Sequence, residues 1–243
     1  EVDIGALEIQ QALVVDTAID EDDGDYTSGD LSLREALDIA AEGAVITFDP
    51  TVFTADGDER VNTTIGLTLG QLIIGQSVTI DGDVDGDGVA DVTLDGTNNP
   101  GRALNTFVDG TAVTLAGLTF QNFNDPSSGG VIRSYADLRV LNSTFLDNAS
   151  GNLGGAIRSY IPSTLYVANS TFEGNTAFNG GAIRNTGQAT IVNATFVGNF
   201  ANDGGAIENT NGDSSLAILN STITGNYAAV VGGGVDVANG TVT

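Results

Sequence analysis

Apolar residues recur at fixed stations through the second half of the chain. One station lies two residues before a recurring asparagine, a second lies three residues after it, and a third closes a Gly-Gly-Ala-Ile motif. Their members are Val140, Val167, Ile191 and Ile218; Phe145, Phe172, Phe196 and Ile223; and Ile157, Ile183, Ile207 and Val235. The framing asparagines step by 27, 24 and 27 residues. A period of this size predicts a solenoid, in which each repeat buries its apolar side chains against its neighbours.

Three stations per period predict three short strands per turn. We therefore expect an all-β fold, a single right-handed parallel β-helix, because parallel crossovers are almost always right-handed. Equivalent residues of successive rungs would stack roughly 4.8 Å apart. Regular rungs are expected from about residue 113, and the short β-rich runs before them lie at residues 45–48, 72–74, 78–80 and 92–94.

The N-terminal residues follow a different pattern. Residues 1–31 contain two short apolar runs, 4–9 and 12–15, and an acidic loop, which predicts two strands and an exposed connection. Residues 32–43 have helical periodicity, with a capping-box pair at Ser32 and Glu35 and a stop signal at Gly43. We expect this amphipathic helix to cap the solenoid, which would occupy residues 44–243.

Composition narrows the chemistry that this chain can perform. It has no Cys and no His, so an imidazole base, a thiol nucleophile, a disulfide and an ordinary zinc site are excluded. The formal net charge of -25 makes nucleic acid and anionic membranes poor partners. No apolar run is long enough to predict membrane insertion. Such acidity without lysine suits a salty exterior that contains calcium.

Two columns of asparagine are predicted from the repeat. Their members are Asn142, Asn169, Asn193 and Asn220, and Asn148, Asn175, Asn199 and Asn226. Stacked side-chain amides can bond to one another and to backbone groups at a corner. The first column also matches the N-glycosylation triplet, but we expect it to face inward and to be protected from modification.

A charged column follows the Gly-Gly-Ala-Ile motif. It contains Arg133, Arg158, Arg184, Glu208 and Asp236. Stacked arginines repel one another unless they are solvated or paired, so we expect an outer face near acidic loops. The alternative is a basic stripe that binds an anionic glycan.

One segment has the spacing of metal ligands. Carboxylates at Asp83, Asp85, Asp87 and Asp91, together with the carbonyl of Val89, can surround one hard cation, which predicts a Ca²⁺ site. Position 12 of a full EF-hand loop is Leu94 here, so the segment is similar to more compact calcium loops. The alternative is a solvated acidic turn. We expect no defined site in the looser run at residues 20–25.

A catalytic role is the weakest alternative. Parallel β-helices often cleave acidic polysaccharides with clustered carboxylates. The regular rungs are expected to supply no paired carboxylates on adjacent strands, so no catalytic residue is predicted.

Several motifs resemble a known group of secreted proteins. The run Ser32-Leu-Arg-Glu-Ala-Leu37, with Ile46-Thr-Phe-Asp-Pro50, resembles the CSLREA-type element of bacterial secreted β-helix proteins. The GGAI and Phe-x-x-Asn repeats are similar to those of chlamydial polymorphic outer membrane proteins and large surface adhesins. The resemblance implies an extracellular passenger, adhesin or stalk without enzymatic activity. Leu31 replaces the family cysteine, so a family disulfide is absent.

These observations predict a non-enzymatic structural unit of a bacterial extracellular or cell-surface assembly. Other copies of the same unit are the expected partners, in tandem or head to tail, with residues 1–15 of one unit covering the last rung of another. A glycan-binding adhesin module is the first alternative, and a polysaccharide lyase or hydrolase is the second.

Overall fold

The structure, a computed structural model, describes residues 13–53 and 63–243. Within these ranges there is one helix, α1 (Leu33–Ile39), which follows the first strand. In chain order the strands are β1 (Leu13–Val15), β2 (Ala44–Phe48), β3 (Thr64–Gly66), β4 (Leu72–Ile74), β5 (Val78–Asp81), β6 (Val92–Asp95), β7 (Leu104–Thr106), β8 (Ala112–Ala116), β9 (Leu118–Gln121), β10 (Asn124–Asp125), β11 (Ile132–Ser134), β12 (Asp137–Leu141), β13 (Thr144–Leu146), β14 (Ala149–Ser150), β15 (Ile157–Ser159), β16 (Thr164–Ala168), β17 (Thr171–Glu173), β18 (Ile183–Asn185), β19 (Gln188–Val192), β20 (Thr195–Val197), β21 (Phe200–Asp203), β22 (Ile207–Thr210), β23 (Ser215–Leu219), β24 (Thr222–Thr224), β25 (Tyr227–Val231), β26 (Val235–Ala238) and β27 (Thr241–Val242).

Three parallel sheets form the faces of a solenoid. Sheet A has nine strands in the order β1-β2-β5-β8-β12-β16-β19-β23-β27. Sheet B runs β3-β6-β9-β13-β17-β20-β24, and sheet C runs β4-β7-β11-β15-β18-β22-β26. From β3 onward each turn passes through sheets B, C and A, which gives seven turns. The predicted parallel β-helix with three strands per rung is therefore confirmed.

The regular turns begin earlier than residue 113. β5 pairs with β8 in register, and β6 pairs with β9 in the same way, although the loops between these early strands are longer. Loop length concealed the repeat in the sequence but does not interrupt the sheets. Two short sheets, β10 with β14 and β21 with β25, form between sheets B and C.

A column of phenylalanine rings fills the core. Phe120, Phe145, Phe172 and Phe196 are fully buried, and successive ring centroids are 5.0, 4.6 and 4.8 Å apart. The rings are nearly parallel because in-register pairing gives each the same rotamer one rung further along. The predicted interior column is confirmed.

The inner asparagine column is also confirmed. Asn148 Nδ2 donates to Asn175 Oδ1 at 3.0 Å, Asn175 Nδ2 to Asn199 Oδ1 at 3.0 Å, and Asn199 Nδ2 to Asn226 Oδ1 at 2.8 Å. Each amide also donates to the backbone carbonyl of a phenylalanine, as Asn175 does to Phe145 at 3.0 Å. The ladder thus satisfies polar groups at a buried corner, where an unpaired group would cost about 1–3 kcal/mol.

The orientation predicted for the other asparagine column is wrong. Asn169, Asn193 and Asn220 are exposed, and the members of this column have φ between 49° and 52°. Asparagine tolerates this left-handed conformation, which turns its side chain outward at the corner between sheets A and B. The side chains still form an external ladder, since Asn169 Nδ2 donates to Asn142 Oδ1 at 3.1 Å. Burial therefore does not protect these residues from modification.

Helix α1 caps the N-terminal end of the solenoid, as predicted. It buries Leu33, Ala36 and Leu37 against β1 and β4, the edge strands of sheets A and C. The Ser32–Glu35 capping box is present. No helix in the described ranges has the length and apolarity needed to span a membrane.

The helix is shorter than the predicted range 32–43. It ends before Ala40, whose backbone is extended, and the carbonyl of Leu37 accepts from both the Ala40 N–H and Gln76 Nε2, the latter at 2.9 Å. Gly43, with φ of 76°, belongs instead to the turn that leads into β2. The predicted strand at residues 4–9 lies outside the described residues.

The second glycine of each Gly-Gly pair is required by the spacing between turns. A Cβ added to Gly155 would lie 2.0 Å from the carbonyl oxygen of Gly181, and one added to Gly181 would lie 2.0 Å from that of Gly205. No side chain can be accommodated against a backbone atom at that distance. This corner therefore depends on glycine in the turns that contain Gly130, Gly155, Gly181 and Gly205.

The two asparagine columns predict different mutational costs. Asn175→Ala should lower the free energy of unfolding by about 3 kcal/mol, because it leaves the buried N–H groups of Asn148 without an acceptor. Asn169→Gly should change it by less than about 0.5 kcal/mol, since glycine adopts the same positive φ. Denaturant unfolding followed by circular dichroism measures both, and equal losses would contradict the assignment of inner and outer columns.

Candidate functional site

The acidic loop at residues 83–91 is an insertion at the corner between sheets A and B. Gly82 and Val92 flank it, whereas the equivalent residues of the next turn, Gly117 and Leu118, are consecutive. Gly117 has φ of 59° and occupies the position of the outer asparagines. A Cβ there would lie 2.3 Å from the backbone nitrogen of Asp83. The loop can leave the solenoid at this point because glycine replaces asparagine beneath it.

The loop is organised by its own carboxylates. Asp83 accepts from the backbone N–H groups of Gly86 at 2.8 Å and Gly88 at 3.0 Å. Asp91, which is buried, accepts from the N–H of Val84 at 2.7 Å and so closes the base of the loop. These bonds fix two carboxylates in place within the loop.

Three of the four predicted carboxylates come together. One oxygen from each of Asp83, Asp85 and Asp91 lies within 4.8 Å of the others, a separation that suits ligands of one Ca²⁺ ion at about 2.3–2.6 Å each. Asp87 is not in this group, and its Oδ1 accepts from the N–H of Val89 at 2.8 Å. The three charges repel one another, and a divalent cation would offset that repulsion.

The acidic run at residues 20–25 has structural contacts. Asp20 pairs with Arg34 at 2.8 Å and accepts from the backbone N–H groups of Thr68 and Leu69. Buried Glu35 accepts from the backbone N–H groups of Asp23 and Gly24 at 3.2 and 3.0 Å. This run therefore fastens the capping helix to the first turn.

The charged column is in register as predicted, but two of its members, Arg158 and Glu208, are buried. Arg133, Arg158, Arg184, Glu208 and Asp236 pair in that order across adjacent strands of sheet C. Arg158 is only 5% exposed, so the expected solvated face is wrong at this residue.

Tyrosine rings cover the buried arginine. The Arg158 guanidinium carbon lies 4.2 Å from the ring centroid of Tyr160, and the ring of Tyr135 stacks on Tyr160 at 4.4 Å. Burial lowers the pKa of Arg158, and the neighbouring Arg184 acts in the same direction. In the sequence, Tyr135 and Tyr160 stand two residues after Arg133 and Arg158. This spacing is the signal that was missed.

The donors of this column are either engaged within the protein or buried, since the Nε atoms of Arg133, Arg158 and Arg184 are buried without a hydrogen-bond partner in the described part of the chain. Arg133 Nη2 donates to the Tyr135 hydroxyl at 2.8 Å, and Arg158 Nη1 donates to the Ser159 carbonyl at 3.1 Å. Arg184 Nε and Glu208 Oε2 are 2.6 Å apart, an ion pair whose N–H is not aligned for a hydrogen bond. These contacts leave little of the column available to an anionic glycan.

One pair of carboxylates contradicts the expectation for the regular rungs. Glu208 on β22 stands in register with Asp236 on β26. Burial raises the pKa of Glu208, although the Asn179 amide and the Arg184 guanidinium oppose this effect. Asn179 Nδ2 donates to Glu208 Oε1 at 3.1 Å, so both oxygens of this carboxylate are occupied by protein groups.

Calcium binding predicts a thermal shift. At a free Ca²⁺ concentration of about 100 times the dissociation constant, bound Ca²⁺ should raise the free energy of unfolding by about 2.7 kcal/mol and the Tm by about 5–10 °C. A chelator should reverse both changes. Asp85→Asn should abolish the shift, Asp87→Asn should reduce it less, and the exposed control Asp109→Asn should preserve it. Differential scanning calorimetry measures all four proteins. If Ca²⁺ does not change the Tm of the original chain, the site is ruled out.

The chain matches no family model, and no curated protein or solved structure is significantly similar to it. Its role is therefore inferred from its own contacts. The informative ones are the acidic loop, the ends of the sheets and the positions at which a turn departs from the repeat.

Proposed function

We propose that this chain is a non-enzymatic structural unit of a bacterial extracellular or cell-surface assembly, in which β-helix units stack head to tail. The observation that carries the proposal is that, among the described residues, sheet A has an edge strand at each end. β1 is the edge strand at one end and β27 is the edge strand at the other. Free parallel edges pair readily with another strand of the same direction.

The last turn supports such pairing through its apolar surface. Tyr227, Val230 and Val231 of β25 are 60%, 72% and 50% exposed, and Leu219 and Val242 are exposed beside them. In the preceding turn, Phe200, the equivalent of Tyr227, is also 41% exposed, whereas Asp203 and Val192, the equivalents of Val231 and Leu219, are half-buried beneath the last turn. An exposed apolar edge strand of this kind is a surface that another chain can complete.

The opposite end offers a complementary surface. Beside β1 lies a groove of about 310 Å³ whose lining includes Leu13, Val14, Tyr26 and Ile39. Val14, Tyr26 and Ile39 are exposed. Sheet A extends two strands beyond sheets B and C at this end, so an incoming β27 could continue sheet A against β1. The residues before Leu13, which the stacking hypothesis also used, lie outside the described ranges.

A second copy of this unit is the occupant that fits both ends. The edge strands β1 and β27 belong to the same sheet and run in the same direction, so one copy supplies the strand that the other lacks, and the exposed residues of β25 lie beside this edge on a separate short sheet. The net charge of -25 opposes contact between copies. Salt, which shortens the Debye length to about 3 Å at 1 M, or bound Ca²⁺ would relieve that repulsion.

The family resemblance supports the location and the absence of catalysis. The SLREA-type residues form the capping helix, and the GGAI and Phe-x-x-Asn residues form the stacked corners and core, as expected of a secreted CSLREA-type passenger or stalk. Calcium held by Asp83, Asp85 and Asp91 would stabilise the unit in a calcium-containing exterior.

Self-association tests the proposed function. In sedimentation velocity the protein should form a concentration-dependent series of oligomers in about 1 M salt and fewer in about 50 mM salt, because screening removes the repulsion between copies. Val230→Lys should abolish association even though it reduces the net negative charge, because it places a cation on the apolar edge.

The control is Phe107→Lys, which changes an exposed apolar residue in the second turn and should associate normally. A protein that stays monomeric at every salt concentration, or a Val230→Lys variant that associates like the original, would refute stacking.

A further inference from the structure

We propose that a polar cleft lined by Gln71, Asn99, Arg102 and Asp125 binds a neutral saccharide through its hydroxyl groups. This Arg102 cleft has a volume of about 290 Å³ and is completed by Gly70, Pro100 and Gly101. The volume is near the lower limit of about 300 Å³ for small-molecule sites. It suits a single sugar ring. The proposal is independent of stacking, because the cleft lies on the first three turns and away from the last one.

The cleft is formed where two residues depart from the repeat. Leu104 pairs with Ile132, so Arg102 stands at the position of Gly130, the second glycine of a Gly-Gly pair. Asp125 pairs with Ser150, and the next turns have alanine at this position. A charged pair has therefore replaced a glycine and a small residue on neighbouring turns.

The charged pair is held rigidly. Arg102 Nη2 lies 2.9 Å from Asp125 Oδ2, and it donates to Ser127 Oγ at 2.8 Å. Asp125 Oδ1 accepts from the backbone N–H groups of Ser127 and Ser128 at 2.8 and 3.1 Å. Both residues are more than nine-tenths buried. Burial alone would raise the pKa of Asp125, but the bonds from Ser127 and Arg102 outweigh it and lower that pKa, so the ion pair persists.

The walls of the cleft contain unused hydrogen-bond donors. Asn99 Nδ2 is buried and has no hydrogen-bond partner among the described residues. Arg102 Nη1 also makes no hydrogen bond within the ranges that the structure describes, but it is not a fully buried atom. The buried Asn99 amide costs free energy, and Arg102 Nη1 is the accessible donor that a hydroxyl ligand would meet.

A structural role alone does not explain the pair. Burying two charges is expensive, and replacing such a pair by small or apolar residues is often neutral or stabilising. The later turns show that glycine and serine or alanine form this corner without charge. The ion pair is therefore an added feature of the first turns, positioned at the base of a cleft.

The chemistry of the cleft favours neutral hydroxyl groups. A sugar hydroxyl both donates and accepts. Both oxygens of Asp125 already accept from Arg102 and the serines, so the donor offered to the sugar is Arg102 Nη1 and the acceptor is the side-chain amide of exposed Gln71.

An anionic sugar would meet more negative than positive groups, since Asp22 and Asp38 line the adjacent groove with Arg34. Gln71 lines both spaces, and Arg34 Nη2 holds the Gly70 carbonyl at 2.9 Å, so a second sugar unit could extend across this wall.

Binding to defined oligosaccharides tests the proposal. The full chain is applied to immobilised neutral fragments of glucan, galactan, mannan and xylan, with oligogalacturonate as the anionic counterpart, and hits are confirmed by saturation-transfer NMR. We expect binding to at least one neutral fragment and none to oligogalacturonate. Binding to oligogalacturonate alone, or to no fragment, would overturn the proposal.

Matched variants assign the binding to this cleft. Arg102→Gly with Asp125→Ser restores the residues of the next turn, so it should fold and should bind at least tenfold more weakly. The control Arg139→Gln changes an arginine exposed on sheet A and should bind normally. If the double variant does not fold, the affinity of the Gln71→Ala variant is measured instead, because this exposed residue at the rim of the cleft can be changed without disturbing the fold. A loss of at least threefold supports the cleft, and unchanged affinity refutes it.

Discussion

The structure depends on register: each buried side chain has its own equivalent, one turn away, as its principal neighbour. Parallel pairing without slippage places Phe172 between Phe145 and Phe196, and Asn175 between Asn148 and Asn199. Cohesion is therefore shared among columns that run along the whole axis. A slip of one residue would break every column at once, because it moves each side chain to the other face of its strand.

The same register separates what the sequence could predict from what it could not. The core and the inner asparagines were predictable because a fixed period directly specifies which residues stack. The outward orientation of the outer asparagine side chains was not predictable, because it depends on the left-handed backbone at the corner and not on the alternation of side chains along a strand. The burial of Arg158 was also missed, since Tyr160 covers it from a turn outside the strands.

The candidate sites all lie where the repeat is interrupted. The acidic loop emerges where Gly117 replaces an asparagine, and the Arg102 cleft forms where a Gly-Gly pair loses its second glycine. Spacing alone identified the carboxylates of the loop, but the three that converge, without Asp87, are selected by the local conformation. The cleft was not predicted, because neither of its charged residues belongs to a recognisable motif.

The inner asparagine ladder gives the solenoid a direction. Each of its amides donates toward the C-terminal end and accepts from the N-terminal side, so the side-chain dipoles of successive rungs are aligned and polarise one another. In a two-fold symmetric dimer formed through the C-terminal end, the amide N–H groups of Asn226 in the two copies would face each other, donor against donor. Closed symmetry of that kind is disfavoured, and any fibre built from this unit would have chemically distinct growing ends.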